Sequence, residues 1–403
     1  MKKALTIILL VLIAGSLGTL GFFIYKQSQS TTRTVTNTPV SEESPFPMGS
    51  STNPVTTNYN SGNSSTNYPE ANQPLGVPNQ PALSQMSLAG ITVLSINKNL
   101  QTFFTDKETG NIYSLDGQNN PTRLSLVTLP GVEESYLGYR NNSLGIILRQ
   151  IKGLNIVNEI GQIKLDSSAP TTLNPHLWDI SLSSLALSPN SQKISFLTEI
   201  TDKTILYTTD WSLQKPKKLW SSPLSSWNIS WPKDSLIVIT SKPSYDYPGV
   251  AYFLDAQTGK ETKILNNING LNLSVSPNGD KLIYTKSLLS GFSLYSYDTK
   301  VEESRLLDFN TLPDKCVWSD NDTLYCAVPK NIPTGHYPDN WYQGKISFSD
   351  NVWKIDLKQK TTTIVSTLKG DYDLYNLVIN KQTGWLYALN RGDNKLQAFS
   401  LKP

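Results

Sequence analysis

Residues 273–286 read LSVSPNGDKLIYTK and residues 185–198 read LALSPNSQKISFLT, so the chain repeats one phrase. In each copy an alternating apolar stretch leads into Ser-Pro-Asn, and a second apolar stretch follows. Proline and asparagine favour a tight turn, and proline is tolerated there because no strand hydrogen bond is required from it. The phrase therefore predicts a β-hairpin.

The same hairpin recurs along the chain at nearly constant spacing. Pro232, in ISWPKDSLIVIT, lies midway between Pro189 and Pro277. Weaker copies have a polar turn residue at the equivalent position, namely Asn97, Asn141, Ser319 and Asn380. The one long step, between Ser319 and Asn380, contains an apparent insertion at residues 331–349. Seven hairpins, each followed by further short strands, predict an all-β fold, a seven-bladed β-propeller over residues 81–403.

The two ends of this repeat predict how the ring closes. The chain stops after KLQAFSLKP (395–403), so the last blade has only three strands of its own. Residues 81–88, PALSQMSL, precede the first hairpin. We expect them to supply the missing outer strand, so that both ends of the domain share one sheet.

The phrase Ser-Pro-Asn-Gly-x-Lys-Leu-x-Tyr resembles the repeat of TolB-like, WD-type bacterial β-propellers, which favour Asp where Asn190 and Asn278 stand. Residues 384–400, GWLYALNRGDNKLQAFS, resemble a blade of the NHL type. The resemblance covers residues 81–403 and implies a propeller with an extracytoplasmic binding role. It carries no catalytic residue, because the matching positions are turn and packing positions.

The N-terminal segment predicts a membrane anchor. Residues 4–25 contain no charged side chain, and as a helix they span about 30 Å, the thickness of the hydrocarbon layer. Lys2 and Lys3 precede them, which keeps the N-terminus in the cytoplasm and exports the rest of the chain. The apolar run is longer than that of an ordinary cleaved signal peptide, although small residues at 14–18 leave cleavage open.

Residues 27–80 predict a disordered linker. Ser, Thr, Asn and Pro make up most of this segment, and apolar side chains are too few to offset the loss of chain entropy. A flexible chain of this length has an end-to-end distance of about 40 Å. We therefore expect a single-pass membrane protein, with a cytoplasmic stub and anchor in residues 1–26 and the propeller on the extracytoplasmic side.

The composition argues against several classes of function. Charged residues are 17% of the chain and the net charge is +3, without a basic run, so we expect no nucleic-acid partner. The two histidines are isolated in sequence and no metal-ligand spacing occurs, so we expect no metal and no cofactor. No catalytic motif is present, and the acidic pairs Asp320/Asp322 and Asp371/Asp373 are expected to be exposed turn carboxylates.

The two cysteines, Cys316 and Cys326, flank the turn of the sixth hairpin. Pairing Trp318 with Thr323 would place Cys316 opposite Tyr325, and a shift of one residue brings Cys326 opposite instead. An exported protein favours oxidation, so we expect a disulfide, with two buried free thiols as the alternative.

Two long loops predict a binding rim. Residues 242–249 follow the second strand of blade four, and residues 331–349 follow that of blade six. Loops in these positions emerge on one face of a propeller, and aromatic rings with polar edges suit a sugar or peptide. The predicted ligand-binding residues are Tyr245, Asp246, Tyr247, His336, Tyr337, Asp339, Asn340, Trp341 and Tyr342. The alternative is that these aromatics fold back onto the propeller and anchor the loops.

The sequence thus favours a binding or scaffolding module for an envelope protein, peptide or glycan. A carbohydrate-active enzyme, a glycosidase or lyase, is the first alternative. Two carboxylates that converge in one cleft would favour it. A surface protein that is displayed on a stalk and binds nothing is the second alternative.

Overall fold

The computed structural model describes residues 86–402 except 154, 168 and 202. These residues form seven antiparallel sheets, six with four strands and the last with three. The prediction of an all-β propeller with seven blades is confirmed.

Within each blade the strands follow one another outward from the channel. The inner strands are β1 (Leu88–Ile96), β6 (Val132–Arg140), β11 (Ser184–Leu187), β15 (Trp227–Lys233), β19 (Leu273–Val275), β23 (Cys316–Trp318) and β27 (Leu374–Asn380). The second strands are β2 (Asn99–Asp106), β7 (Ser143–Lys152), β12 (Lys193–Ile200), β16 (Leu236–Ser241), β20 (Lys281–Leu288), β24 (Thr323–Pro329) and β28 (Trp385–Asn390).

The third strands are β3 (Ile112–Leu115), β8 (Asn155–Lys164), β13 (Lys203–Asp210), β17 (Pro248–Asp255), β21 (Gly291–Asp298), β25 (Asp350–Asp356) and β29 (Leu396–Ser400). The outer strands of blades one to six are β4 (Pro121–Arg123), β10 (His176–Leu177), β14 (Lys217–Ser222), β18 (Glu261–Asn269), β22 (Glu303–Leu306) and β26 (Thr361–Ser366). A short parallel pair, β5 (Ser125–Leu126) and β9 (Thr171–Thr172), also links the outer parts of blades one and two.

The repeated phrase forms the turn between the first two strands of blades three and five. The Ser276 hydroxyl accepts a hydrogen bond from the Lys281 amide (3.0 Å) and donates one to Asn278 Oδ1 (3.0 Å). Ser188 and Asn190 make the equivalent contacts in blade three. The serine and the asparagine close the turn with their side chains, which explains why both recur at these positions.

Pro232 departs from this pattern. It lies inside β15, next to a register shift between Ser230 and Lys233. Such a bulge requires no ladder hydrogen bond from proline. The hairpin is preserved, but its turn starts after the proline.

A buried apolar cluster lies between every two neighbouring blades. In β16, for example, Ile237 and Ile239 pack towards blade three, while Val238 packs towards blade five. Alternate side chains point to opposite faces of a strand, so a sheet that is covered on both faces needs a continuous apolar run. The second strands of the sequence have this pattern.

Blades seven and one meet in the cluster that closes the ring. Leu88 and Phe104 of blade one pack with Tyr387 and Leu396 of blade seven. The Tyr387 hydroxyl donates a hydrogen bond across this seam to Asn119 Oδ1 (2.6 Å). In the part of the chain that the structure describes, side-chain packing and hydrogen bonds join the two blades.

The predicted closing strand falls mostly outside the described residues, which begin at Met86. Leu88 is the first residue of β1, and its amide donates to Asn394 O (2.9 Å). Leu88 therefore belongs to the inner strand of blade one and not to an outer strand of blade seven. An outer strand from residues 81–85 stays a prediction.

The predicted anchor at residues 4–25 and linker at residues 27–80 also lie outside the described residues. Within residues 86–402, no helix has the length and apolar character needed to cross a membrane.

The insertion expected at 331–349 is a loop between β24 and β25. We call residues 330–349 the strap; it contains helix α1 (Asp339–Tyr342). In a four-stranded meander, the loops after second strands emerge on the same face as the connections between blades. We call this face, which includes the strap, the strap face, and the opposite one the turn face.

Candidate functional site at the mouth of the central channel

The two loops of the predicted rim contact each other on the strap face. The Tyr245 amide donates a hydrogen bond to Asp339 Oδ2 (2.6 Å), and the Tyr245 ring stacks on His336 with centroids 4.1 Å apart. The strap therefore crosses above blade five to reach the loop of blade four. The structure brings these three predicted residues together.

Two other predicted rim residues lie inside the strap. Tyr337 and Trp341 are buried and pack with Phe292, Leu312 and Phe348. The Tyr337 hydroxyl donates to Pro333 O (2.7 Å), and burial raises the pKa of Tyr337 to about 12. These two rings stabilise the strap and offer no face to the solvent.

A buried charge cluster fixes the strap to blades six and seven. The Lys315 ammonium lies 2.8 Å from Asp350 Oδ2 and 2.5 Å from Asp373 Oδ1, and all three side chains are inaccessible to solvent. The indole of Trp341 donates to Asp373 Oδ2 (2.9 Å). Asp373 was expected to be an exposed turn carboxylate; it is buried because Lys315 and the strap together satisfy its charge.

The remaining predicted residues lie at the surface. Tyr247 is 75% exposed, and Asp246 and His336 are exposed as well. Asn340 Oδ1 accepts a hydrogen bond from the His336 amide (2.9 Å) and so fixes the bend of the strap. Tyr342 is partly exposed and reaches towards the channel.

The mouth of the central channel opens on the strap face as a cavity of about 360 Å³. Its polar lining comes from blades two to six and from the strap, and includes Glu134, Arg149, Asn272, Asp314 and Tyr342. A wider cavity of about 520 Å³ lies further along the channel, between the inner strands. Of the predicted rim, Tyr342 alone is part of the mouth.

On one side of the mouth, Arg149 holds Glu134. Their side chains form an ion pair of 2.6 Å between directly opposite residues of β6 and β7. Arg149 also donates to Asn158 Oδ1 (3.2 Å) and to Leu182 O (2.9 Å), so its guanidinium is fixed from three directions. The Tyr136 hydroxyl donates to the same carboxylate oxygen (3.1 Å).

On the other side, Asp314, Asn272 and Tyr342 form a hydrogen-bonded group. The Asn272 amide donates to Asp314 Oδ2 (2.5 Å) and to the Tyr342 hydroxyl (2.8 Å), and that hydroxyl donates to Asp314. Desolvation by the surrounding protein atoms raises the pKa of Asp314, although both hydrogen bonds and Lys315 lower it. Desolvation and the adjacent Asp314 raise the pKa of Tyr342 well above its usual value.

The sequence interpretation missed Glu134, Arg149, Asn272 and Asp314. One signal was available, since Arg149 interrupts the apolar run of β7, SLGIILRQIK. A buried arginine requires an anionic partner, and its opposite neighbour in the hairpin is Glu134. The others come from separate blades and have no shared spacing.

The predicted disulfide is confirmed. Cys316 and Cys326 are directly opposite each other in β23 and β24, and their sulfurs are bonded. The bond lies at the base of the hairpin that follows Asp314 and Lys315. Among the described residues, no group of three or more His, Cys, Asp or Glu side chains is arranged to hold a metal ion.

No family model and no curated protein matches the chain. Solved structures do match. An oligogalacturonate lyase from Vibrio parahaemolyticus aligns with 79% of this chain and 92% of its own, with a TM-score of 0.52 and 9% identity. An oligogalacturonate lyase in complex with manganese aligns with 75% of this chain and 85% of its own, with a TM-score of 0.51 and 12% identity.

TolB from Acinetobacter baumannii also aligns, over 77% of this chain and 79% of its own, with a TM-score of 0.41 and 12% identity. At such low identities the likeness to the two lyases shows the fold alone. The chain shares the β-propeller architecture with these enzymes.

Proposed function

We propose that the protein is a membrane-anchored, extracytoplasmic binding module that recognises a glycan at the mouth of its channel. The observation that carries the proposal is the lining of the 360 Å³ cavity, where carboxylates, a guanidinium and an amide converge beside tyrosine rings. Its volume lies within the range of roughly 300–1,000 Å³ that is common for small-ligand sites.

The chemistry of this lining suits a sugar. Hydroxyl groups both donate and accept hydrogen bonds, so they can pair with Glu134, Asp314 and the side-chain oxygen of Asn272 as acceptors, and with the remaining N–H groups of Arg149 as donors. The tyrosine rings offer flat apolar faces to the C–H groups of a sugar ring. The hydrogen bonds within each half of the mouth hold these groups in place before a ligand arrives, which lowers the entropy cost of binding.

The cellular location is proposed from the sequence. Residues 4–25 are long and apolar enough for a single membrane span, and the preceding lysines orient the propeller away from the cytoplasm. The linker of residues 27–80 would hold the domain close to that membrane. The disulfide between Cys316 and Cys326 is consistent with an oxidising compartment.

The test is a binding measurement on the full chain in detergent micelles against an array of bacterial envelope oligosaccharides. Asn272→Leu removes the amide that bridges Asp314 and Tyr342. We expect it to weaken binding about tenfold, because the sugar loses one hydrogen-bond acceptor and Asp314 loses a hydrogen bond that positions it. Asn266→Leu, an exposed amide on β18, is the matched control and should bind as the wild type does.

Two outcomes would contradict the proposal. One is a wild type that retains no oligosaccharide of the array, and the other is equal binding by Asn272→Leu and Asn266→Leu. Point variants are preferable to shortening the strap, because loss of Trp341 would uncover the charge cluster at Asp373.

A carbohydrate-active enzyme is the second candidate, since Glu134 and Asp314 line the same cavity. Glycoside hydrolysis commonly uses two carboxyl groups, one of which stays protonated as the acid. The raised pKa of Asp314 fits that role. The test is to incubate the wild type with any oligosaccharide that it retains and to measure new reducing ends. If they form, and Asp314→Asn abolishes their formation without loss of binding, the protein is a carbohydrate-active enzyme and the binding-module hypothesis is wrong.

A further inference from the structure

Exposed aliphatic side chains are concentrated at loop tips of the strap face. Six of them, between 48% and 92% exposed, form what we call the apolar arc: Ile151, Ile156, Ile200, Leu224, Leu288 and Leu289. Scattered exposed leucines are ordinary on a soluble protein. The placement of these six on one face requires an explanation.

The arc extends from blade two to blade five. Ile151 and Ile156 face each other across the tip of the β7–β8 hairpin, and Ile200 is the last residue of β12. Leu224 lies in the connection between blades three and four, and Leu288 and Leu289 lie at the turn after β20. The loop of blade four, between these positions, carries the exposed Tyr247.

The turn face has a different composition. Of the exposed large hydrophobic side chains among the described residues, only Val301 lies in a turn-face loop. The turns between first and second strands there present asparagine, serine, aspartate, lysine and glutamine. Apolar tips are therefore a property of one face and not of propeller loops in general.

The chain also enters the propeller on the strap face. Ser87 O accepts a hydrogen bond from the Lys107 amide (2.8 Å), and the Leu88 amide donates to Asn394 O (2.9 Å). Lys107 and Asn394 both lie in loops that follow second strands. The first described residues of the propeller therefore lie on the face that carries the arc.

We propose that the strap face docks on the outer surface of the membrane that holds the anchor, with the apolar arc in the interfacial layer of the lipid. This inference rests on the anchoring in the proposed function. Each aliphatic tip is stabilised by leaving water, and the exposed Tyr247 suits the level of the headgroups. A tether of about 40 Å keeps the membrane at high effective concentration, so weak contacts suffice.

Docking has a consequence for the ligand. The channel mouth opens on the same face as the arc, so a docked propeller turns the mouth towards the bilayer. The glycan of the proposed site would then be one that is carried on that membrane.

The test uses the full chain reconstituted in phosphatidylcholine vesicles. Leu289→Cys and Val301→Cys each introduce one free thiol, because Cys316 and Cys326 are bonded to each other. Both positions are exposed loop residues of blade five, on opposite faces. Each is labelled with an environment-sensitive nitrobenzoxadiazole dye, and emission is recorded with and without a doxyl-labelled lipid.

We expect emission at position 289 to shift to the blue and to fall when the doxyl lipid is present, with neither change at position 301. Adding Ile200→Ser and Leu224→Ser should reduce the quenching at 289, whereas Leu306→Ser, on the outer strand of the same blade, should not. Equal quenching at 289 and 301 would overturn the proposal. A blue shift without lipid quenching would also overturn it, in favour of contact with another protein surface such as a second copy.

Flotation of the same vesicles on a density gradient separates docking from anchoring. If the chain floats and position 289 is not quenched, docking is wrong and the anchor stands. If the chain does not float with the lipid, the proposed anchoring is wrong, and docking falls with it.

Discussion

At the scale of single residues, Lys315 is the cation of the buried cluster that fixes the strap to blades six and seven. It is fully buried, and besides its two carboxylate partners it donates a hydrogen bond to Leu374 O (2.8 Å). A buried ion pair contributes little net stability, but removal of one partner is costly, because a charge is then left without compensation.

Lys315→Met is therefore expected to lower the free energy of unfolding by about 3–5 kcal/mol, because Asp350 and Asp373 would face each other without a cation. Urea denaturation measures the change. Lys281→Met is the control, since its ion pair with Asp322 is partly exposed, and we expect a loss of less than about 1 kcal/mol. Equal losses in the two variants would contradict a special role for Lys315.

Asp350 makes the stability of the same cluster depend on pH. Burial raises its pKa from 3.8 to about 6, although Lys315 lowers it. Because the folded state binds this proton more tightly than the unfolded state, its contribution to stability is complete below about pH 4 and is lost as the pH rises to about 6. The shift of roughly two units corresponds to about 3 kcal/mol.

The side chain introduced by Asp350→Asn cannot ionise. We therefore expect the free energy of unfolding of this variant to equal that of the wild type at about pH 4 and to exceed it by up to about 3 kcal/mol at about pH 7.5. Urea denaturation at the two pH values measures the difference. The exposed Asp246→Asn serves as the control and should follow the wild type at both. A variant that is less stable than the wild type at the higher pH would contradict the argument.

At the scale of elements, the hairpin of β23 and β24 carries the disulfide. The bond closes a short loop, with a sequence separation of 10, and in the chain-entropy model such a loop corresponds to about 3 kcal/mol. We expect dithiothreitol to lower the free energy of unfolding of the wild type by about this amount. In the double variant Cys316→Ala/Cys326→Ala, dithiothreitol should have no effect. If the reductant leaves the wild type unchanged, the bond does not stabilise the fold.

The hairpins were predictable because each depends on a few neighbouring residues. Ser276 and Asn278 close their turn with their own side chains, and the alternating apolar strands on either side are visible in the sequence. The register between paired strands was harder to predict than the hairpins themselves. Trp318 pairs with Leu324 and not with Thr323, and this shift of one residue brings the cysteines opposite each other.

The site was predictable only in part, because distant contacts decide which side chains of a loop face the solvent. The sequence identifies the strap and its aromatic residues. It does not reveal that Trp341 binds Asp373, 32 positions away, and is buried as a result. The residues of the channel mouth are even harder to predict from the sequence, because Asn272 and Asp314 come from different blades and meet only in the folded ring.

At the scale of the whole molecule, seven interblade clusters hold the ring together, and the cluster between blades seven and one differs from the others because the first and last described strands meet there. Leu88 lies in this cluster and is buried. Asn380 and Gln382 of blade seven add hydrogen bonds to Leu100 of blade one. Opening this seam would expose one face of each blade to water, so stability of the ring depends on residues at its N-terminal edge.

Chains that begin at residues 81, 86 and 90 separate the two contributions to this seam. Loss of residues 86–89 removes Leu88 and its hydrogen bond to Asn394. We therefore expect the free energy of unfolding of the chain that begins at residue 90 to be about 3 kcal/mol below that of the chain that begins at residue 86. If residues 81–85 supply the outer strand of blade seven, the chain that begins at residue 86 is in turn less stable than the chain that begins at residue 81. Thermal and urea unfolding measure both steps, and Leu88→Ala in the longest chain isolates the side chain. Equal stability of the chains that begin at residues 81 and 86 would exclude the predicted outer strand. Equal stability of the chains that begin at residues 86 and 90 would show that Leu88 does not stabilise the contact between blades seven and one.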